Sequence, residues 1–334
     1  MKDLSYSAVM GRKNEIIKDA MGVDYRRYEK EGIIFDYEAM MADCGYTLED
    51  HIRIQQAVNV GNTPVFELHN LTALSRKLAP RGKGARIFLK DEASNPAGSF
   101  KERRAAASVY HAKKLGYKGV IAATSGNYGA AVASQAAMQG LKCIIVQECY
   151  DSHAVGQPEI IEKARKCEAL GAEVLQLSVG PELFYQVLLL LEETGYFNAS
   201  LYSAFGVSGI ETLGWELGHQ FMEKYGRHPD AVVCANAGGG NLTGTAPSVY
   251  GPVRHREGGR SVLYHGGSRH PGGHGEGTRR EHQPDGGLRP CPADGRGRDH
   301  RGPGDGVHRR REGDQSPVEL CPAERHRASV RGPG

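Results

Sequence analysis

The chain has 334 residues and a formal net charge of +3, enough length for two domains and no charge excess that demands a nucleic-acid or membrane partner. No stretch is apolar for long enough to span a bilayer, and the opening Met1-Lys2-Asp3-Leu4-Ser5-Tyr6 lacks the apolar core of a secretory signal. The seven cysteines are scattered, odd in number and without a CxxC pair, which argues against a zinc site or a disulfide framework and for buried thiols in a reducing cytoplasm.

In chain order, residues 1 to about 60 read as helical, with pieces such as Tyr37-Glu38-Ala39-Met40-Met41. Gly61-Asn62-Thr63-Pro64 gives a turn before the short strand Val65-Phe66-Glu67-Leu68. Strand-like Ile87-Phe88-Leu89-Lys90 precedes Asn95-Pro96-Ala97-Gly98-Ser99-Phe100-Lys101, and a helix is expected from about Ser99 to Leu115. Strands at 120–123, 143–146 and 174–177 alternate with helices to Met138, over 160–170 and from Pro181 to Thr194. A helix over about 210–225 and a strand Ala231-Val232-Val233-Cys234 lead to Gly238-Gly239-Gly240-Asn241. Strands alternating with helices predict an α/β protein with parallel sheets covered on both faces. In such sheets ligands sit at the carboxyl ends of the strands.

From Pro247 onward the composition changes: no Lys, Ile, Phe, Met, Trp or Asn occurs, and Gly, Arg, His and Pro dominate. Such a stretch cannot bury enough apolar surface to offset chain entropy, so disorder is expected. It reads as a basic arm for RNA or acidic partners, as a solvated tail without a role, or as a GC-rich gene read out of frame. Loss of every Lys beside abundant Arg favours the last, since selection for charge would keep both.

Three segments carry chemistry. Lys101 stands in Ser99-x-Lys101-x-Arg103 behind a Pro-x-Gly turn. A lysine is ordinarily a solvated charge, but one opening a helix, partly buried and near a cation such as Arg103, loses its proton easily and becomes a nucleophilic amine. Thr124-Ser125-Gly126-Asn127-Tyr128-Gly129 is a common turn by itself. Between a buried strand and an Ala-rich helix, its amides and hydroxyls suit a carboxylate, Asn127 adds a donor, and Tyr128 could flank a ring. Gly238 to Asn241 serves as a linker or as a phosphate cradle, and its place after a strand favours the cradle. A dinucleotide fingerprint fails because Thr243 stands where the third glycine belongs. The histidines show no metal-ligand spacing, and no metal is expected.

These motifs, with Gly61-Asn62-Thr63-Pro64, resemble the fold-type II pyridoxal-phosphate enzymes, the group of threonine synthase, cysteine synthase and the tryptophan synthase β chain. Within that group, Tyr6 to Lys13, the stretch 122–137, Val146 to Asp151 and Val179 to Tyr185 are similar to the β-subunit family of 2-amino-4-oxopentanoate thiolases. The likeness covers about residues 1–246. It implies two α/β domains, the larger one truncated: a helical extension at 1–60, a large cofactor domain from 61–95 with 206–246, a small domain at 96–205, and the unmatched tail 247–334. It implies pyridoxal 5'-phosphate joined to the catalytic Lys101. Asn127 would bind the ring hydroxyl, and Gly238, Gly239, Gly240 and Asn241 the phosphate. Thr124, Ser125, Gly126 and Asn127 would bind the substrate carboxylate. The implied reaction is thiolytic: coenzyme A takes the acetyl group of 2-amino-4-oxopentanoate and leaves alanine, a step of ornithine degradation. The implied partners are a smaller α subunit and further subunits of an oligomer, in the cytoplasm. Nothing after Ala246 resembles the family, so impaired activity is expected of this chain. A threonine synthase-like or lyase reaction, and a non-catalytic remnant or nucleic-acid binder using the basic tail, are the other readings.

Overall fold

In the computed structural model, residues 3–31, 34–124, 126–180, 182–200, 203–235 and 239–249 are described. The expected disorder and the out-of-frame reading of the tail therefore lie outside the described residues, apart from the first few positions after Ala246.

Helices α1 (Tyr6–Gly11), α2 (Lys13–Met21), α3 (Tyr37–Asp43) and α4 (Leu48–Gln56) make up the start of the chain. Helix α4 is opened by a capping box in which Thr47 and Asp50 satisfy each other's backbone amides. Strand β1 (Val65–Glu67), helix α5 (His69–Leu78) and strand β2 (Phe88–Lys90) follow. β1 and β2 pair antiparallel, with Phe66 opposite Leu89. This departs from the parallel pairing expected of every sheet: the chain from 79 to 87 after α5 is long enough to turn back along β1, and Leu68 N–H already bonds Ile87 C=O at 2.8 Å.

Helix α6 (Lys101–Lys114) is built on an Ala-rich sequence with Glu102 in its first turn and His111, Lys113 and Lys114 in its last, which matches both helix propensity and helix dipole. The alternating core comes next: β3 (Gly119–Thr124), α7 (Asn127–Gln139), β4 (Lys142–Tyr150), α8 (Pro158–Ala169), β5 (Glu173–Ser178), α9 (Glu182–Thr194) and β6 (Phe197–Asn198). The four strands form a parallel sheet in the order β5-β4-β3-β6. β3 is buried along its whole length, as a central parallel strand covered on both faces must be.

Alternate residues serve the two faces. Ile121, Ala123, Ile144 and Val146 pack with Val187, Leu188 and Leu191 of α9 and with Val9, Ile16 and Ala20 of α1 and α2. Val120, Ala122, Cys143 and Ile145 pack with the small residues of α6 and α7. The first helices are thus part of a sheet layer. Arg12 holds them there through paired bonds of 2.8 Å to both oxygens of Glu192.

Helix α10 (Ala204–Tyr225) is followed by α11 (Gly240–Ser248). The two pack at backbone distance: a β-carbon at Gly214 would stand 2.1 Å from the carbonyl oxygen of Thr245. The strand expected at 231–234 is not formed; residues 231–235 have no ladder partner among the described residues and run as coil. A β-branched run becomes a strand only when a neighbour supplies the ladder, and among the described residues β1 and β2 pair with each other alone.

Candidate active site

The chain leaves β3 toward β4 and β5 on one side and returns through β6 on the other. Beyond the carboxyl end of β3 lies the crevice in which open α/β sheets bind ligands. Thr124 ends β3 there, and Ser200, just past β6, accepts a bond from Ala123 N–H at 3.4 Å.

Lys101 is the first residue of α6, and the loop before it is gripped from several sides. Asn95 Oδ1 accepts from Gly61 N–H at 2.9 Å. The buried Glu102 carboxylate accepts from the Ala97 amide and, at 2.9 Å, from Gln135 Nε2. Lys166 Nζ donates to the Ala97 carbonyl at 2.9 Å. The Gly61-Asn62-Thr63-Pro64 motif finds its role in the same scaffold: the Asn62 and Thr63 amides both donate to Glu216 at 2.8 Å.

Arg103 is fully buried and donates to Glu92 (2.8 and 2.9 Å), to Glu216 (3.0 Å) and to Thr212 Oγ1 (3.1 Å). Lys90 completes the network on Glu216. Burial works against the charge of Glu216, but Arg103 and Lys90 hold its carboxyl below the usual range. From the sequence, Arg103 is expected either as the cation beside Lys101 or as a contact to neighbouring backbone. Its charge is instead met by the carboxylates of Glu92 and Glu216.

The cations that act on Lys101 are Arg104 and Lys163. Burial first, then these two charges, push the Lys101 ammonium below the ordinary lysine range, toward the neutral amine that a nucleophile needs. Arg104 is buried, its guanidinium 5.2 Å from the centre of the Tyr128 ring. Lys163, from α8, lies across the loop after β3: a β-carbon at Gly126 would stand 3.4 Å from its Nζ. Gly126 has φ +156°, a conformation that side chains resist, so the loop requires glycine there. Neither Arg104 nor Lys163 is part of a motif. Arg104 was legible only as the residue one helical turn after Lys101, and Lys163 not at all.

Thr124 Oγ1 accepts from the amides of Gly126 (3.0 Å) and Gly129 (3.1 Å). Its hydroxyl shapes the loop, occupying the Gly129 amide of the first turn of α7. Asn127 is exposed in that turn. Tyr128 does not flank the crevice: it is core, and its hydroxyl donates to the Ala199 carbonyl at 2.7 Å. Ser125 and Gly238 lie outside the described residues. Gly239 has φ +84° and precedes Gly240, which opens α11. Asn241 Nδ2 donates to the Ala235 carbonyl at 3.2 Å, closing the base of this loop. Among the described residues no cluster of metal-ligating side chains occurs, and no helix is long and apolar enough to cross a membrane.

Residues 57–250 match the family model described as pyridoxal-phosphate dependent enzyme. The chain belongs to that family. Among similar proteins of the family is the 2-amino-4-ketopentanoate thiolase beta subunit of Acetoanaerobium sticklandii, 74% identical over 245 residues, which are 73% of this chain and 52% of the relative. The threonine synthase of Halalkalibacterium halodurans is 28% identical over 185 residues, 55% of this chain and 47% of that protein. Among solved structures of the family's fold, a T.th. threonine deaminase matches with a TM-score of 0.53 and 29% identity over 65% of this chain and 63% of that one. The chain thus spans about half the length of the thiolase subunit it matches.

The residues present fit the family's cofactor. Lys101 offers a partly buried amine with a lowered proton affinity. The positive-φ turn at Gly239 opens a helix N-terminus, and a cation, Arg104, lies beside that turn.

Proposed function

We propose that this chain carries the cofactor-holding half of a 2-amino-4-oxopentanoate thiolase β subunit. The observation that carries the reading is the convergence on Lys101: Lys163 spans from it to the loop after β3, and Arg104 spans from it to the loop opening α11. Lys101 is thus coupled to one cation beside the loop after β3 and to another beside the turn that opens α11, the two places where this reading puts an amino acid's carboxylate and a phosphorylated aldehyde.

In this reading Lys101 bonds the cofactor and afterwards moves protons at its Nζ. Gly238 to Asn241 hold the phosphate, and Asn127 donates to the ring hydroxyl. Thr124 fixes the loop whose members Ser125, Gly126 and Asn127 hold the substrate carboxylate. Bound pyridoxal phosphate supplies an electron sink for the carbanion left when the acetyl group departs to coenzyme A. The relatives' designation as β subunits supports assembly with an α subunit, and a metabolic enzyme without membrane-spanning helices among its described residues suits the cytoplasm.

Titration of the purified chain with pyridoxal phosphate tests the reading. Visible absorption typical of a lysine-bonded cofactor is expected, and Lys101→Ala abolishes it. Equal spectra for the two proteins would sink the proposal. Release of acetyl-coenzyme A from 2-amino-4-oxopentanoate in the presence of the α subunit is a separate test, since this chain shares only half of its relative's length.

A further inference from the structure

Helix α5 carries its apolar stripe on the side turned away from its own sheet. Thr72 is the buried residue of this helix, and its Oγ1 accepts from Ile87 N–H at 2.9 Å, so the Thr72 face meets the chain that leads into β2. Leu71, Leu74 and Leu78 recur at helical spacing on the opposite side. All three are exposed, Leu78 at 76%, where an amphipathic helix ordinarily buries such a stripe.

The two-stranded sheet repeats the pattern. Val65 and Phe88 turn toward α10, where Phe88 meets the rings of Phe221 and Tyr225 at 5.0 and 5.3 Å. Phe66 and Leu89, opposite each other across the strands, are half-exposed on the other face. Sheets of α/β domains are covered on both faces, and two strands by themselves are marginal.

Residues 231–235 add a third observation. Exposure alternates strictly along them: Val232 and Cys234 are half-buried, and Ala231, Val233 and Ala235 are exposed. That is the period of a strand, although among the described residues they have no ladder to join. Val232 packs on the Leu217 and Phe221 cluster that also receives Val65 and Phe88. Beside β1, a cavity of about 400 Å³ lies between Val65 and the last turns of α10, with Gln220, Phe221 and Tyr225 in its wall.

Single exposed leucines are ordinary. A helix stripe, a strand face, an unpaired strand and a hollow in one part of the fold are a surface made to be covered. The occupant has to fill the hollow, pair a strand and cover a helix at once, which calls for part of the same domain rather than a finished protein surface. The likeness to the Acetoanaerobium sticklandii thiolase β subunit takes in 52% of that protein, which leaves nearly as much chain to supply the cover. Resting on the thiolase reading above for the partner, we infer that β1, β2, α5 and residues 231–235 form the docking surface for the other half of a thiolase β subunit, and that this polypeptide adds a strand along 231–235.

The test coexpresses the full chain with a separate, tagged polypeptide comprising the part of the A. sticklandii subunit outside the match. Copurification is expected, with amide exchange at Val232 to Cys234 slowed roughly tenfold or more as ladder bonds form. Leu74→Asp with Leu78→Asp changes only exposed positions, so the chain by itself should keep its melting temperature. Its affinity for the second polypeptide should drop roughly tenfold or more per residue. Phe66→Asp repeats the test from the strand face and decides the matter if the helix variant does not fold. A second polypeptide that is soluble only beside the unmodified chain supports the inference. Failure to copurify, aggregation beside every chain, a complex indifferent to the substitutions, or one that leaves exchange at 232–234 unchanged overturns it. So does a loss confined to self-association or to assembly with the α subunit. The two readings fail separately: absorption of pyridoxal phosphate bonded to Lys101 without a complex removes the docking surface alone, and a complex without that absorption removes the cofactor reading alone.

Discussion

Arg103 Nη2 donates to Glu216 Oε2 across 3.0 Å, tying the helix that begins with Lys101 to the middle of α10. Both side chains are largely out of water, and Glu92 and Lys90 balance the charges around them. Removing one member of such a set leaves the others buried and uncompensated, which costs about 3–5 kcal/mol. Arg103→Met is therefore expected to lower the melting temperature by many degrees. Adding Glu216→Gln should recover part of that loss, because neighbours in one network are not additive. Additive losses in a double-mutant cycle would show that the pair does not couple.

Acid should weaken the fold through two histidines. Burial drives His51 and His111 down to about 4, with Lys114 adding to the effect on His111. Both are then neutral in the folded chain, whereas the unfolded chain takes up protons below about 6.5. The unfolded state binds more protons within that window, so stability is full above about pH 6.5 and falls as pH drops toward 4. His51 stacks on Tyr46 at 5.5 Å, and neither of its ring nitrogens has a hydrogen-bond partner among the described residues. His51→Phe should flatten the dependence of melting temperature on pH between 5 and 7; an unaltered slope would contradict this account.

Thr124→Val tests the loop after β3. Valine keeps the shape but removes the oxygen that accepts from Gly126 and Gly129, leaving the Gly126 amide without that acceptor. A loss of about 1–3 kcal/mol is expected from denaturant unfolding. Thr124→Ser, which keeps the acceptor, should lose much less. Equal losses would show that the accepting hydroxyl is not what holds the loop.

Gly214→Ala tests the seat of α11. The added carbon would collide with the Thr245 carbonyl, and backbone cannot step aside as a side chain can. Overpacking of this kind costs about 1–3 kcal/mol. Because α11 carries the glycine loop at its start, affinity for pyridoxal phosphate should fall together with thermal stability. Unchanged affinity in a destabilised variant would separate the helix seat from the site.

Local pattern determined much of this protein. Buried strands 120–123 and 143–146, the Ala-rich helices beside them, and the glycine and small-residue loops at their ends are readable because periodicity and turn chemistry act over a few residues. Lys101 was legible for the same reason, as an amine behind a Pro-x-Gly turn at a helix start. Tertiary structure decided what depends on partners far along the chain. Residues 231–234 have strand composition but, among the described residues, no neighbour to bond, and remain coil. Tyr128 has the place of a ring-flanking residue, yet its phenol is drawn into the core by the Ala199 carbonyl. Arg103 and Arg104 are adjacent and chemically identical, and the helix turns them about 100° apart. One meets Glu92 and Glu216; the other meets the glycine turn of α11. Which surface each meets is settled by the fold, which brings Glu216 and Gly240, each more than a hundred positions along the chain, to different sides of α6.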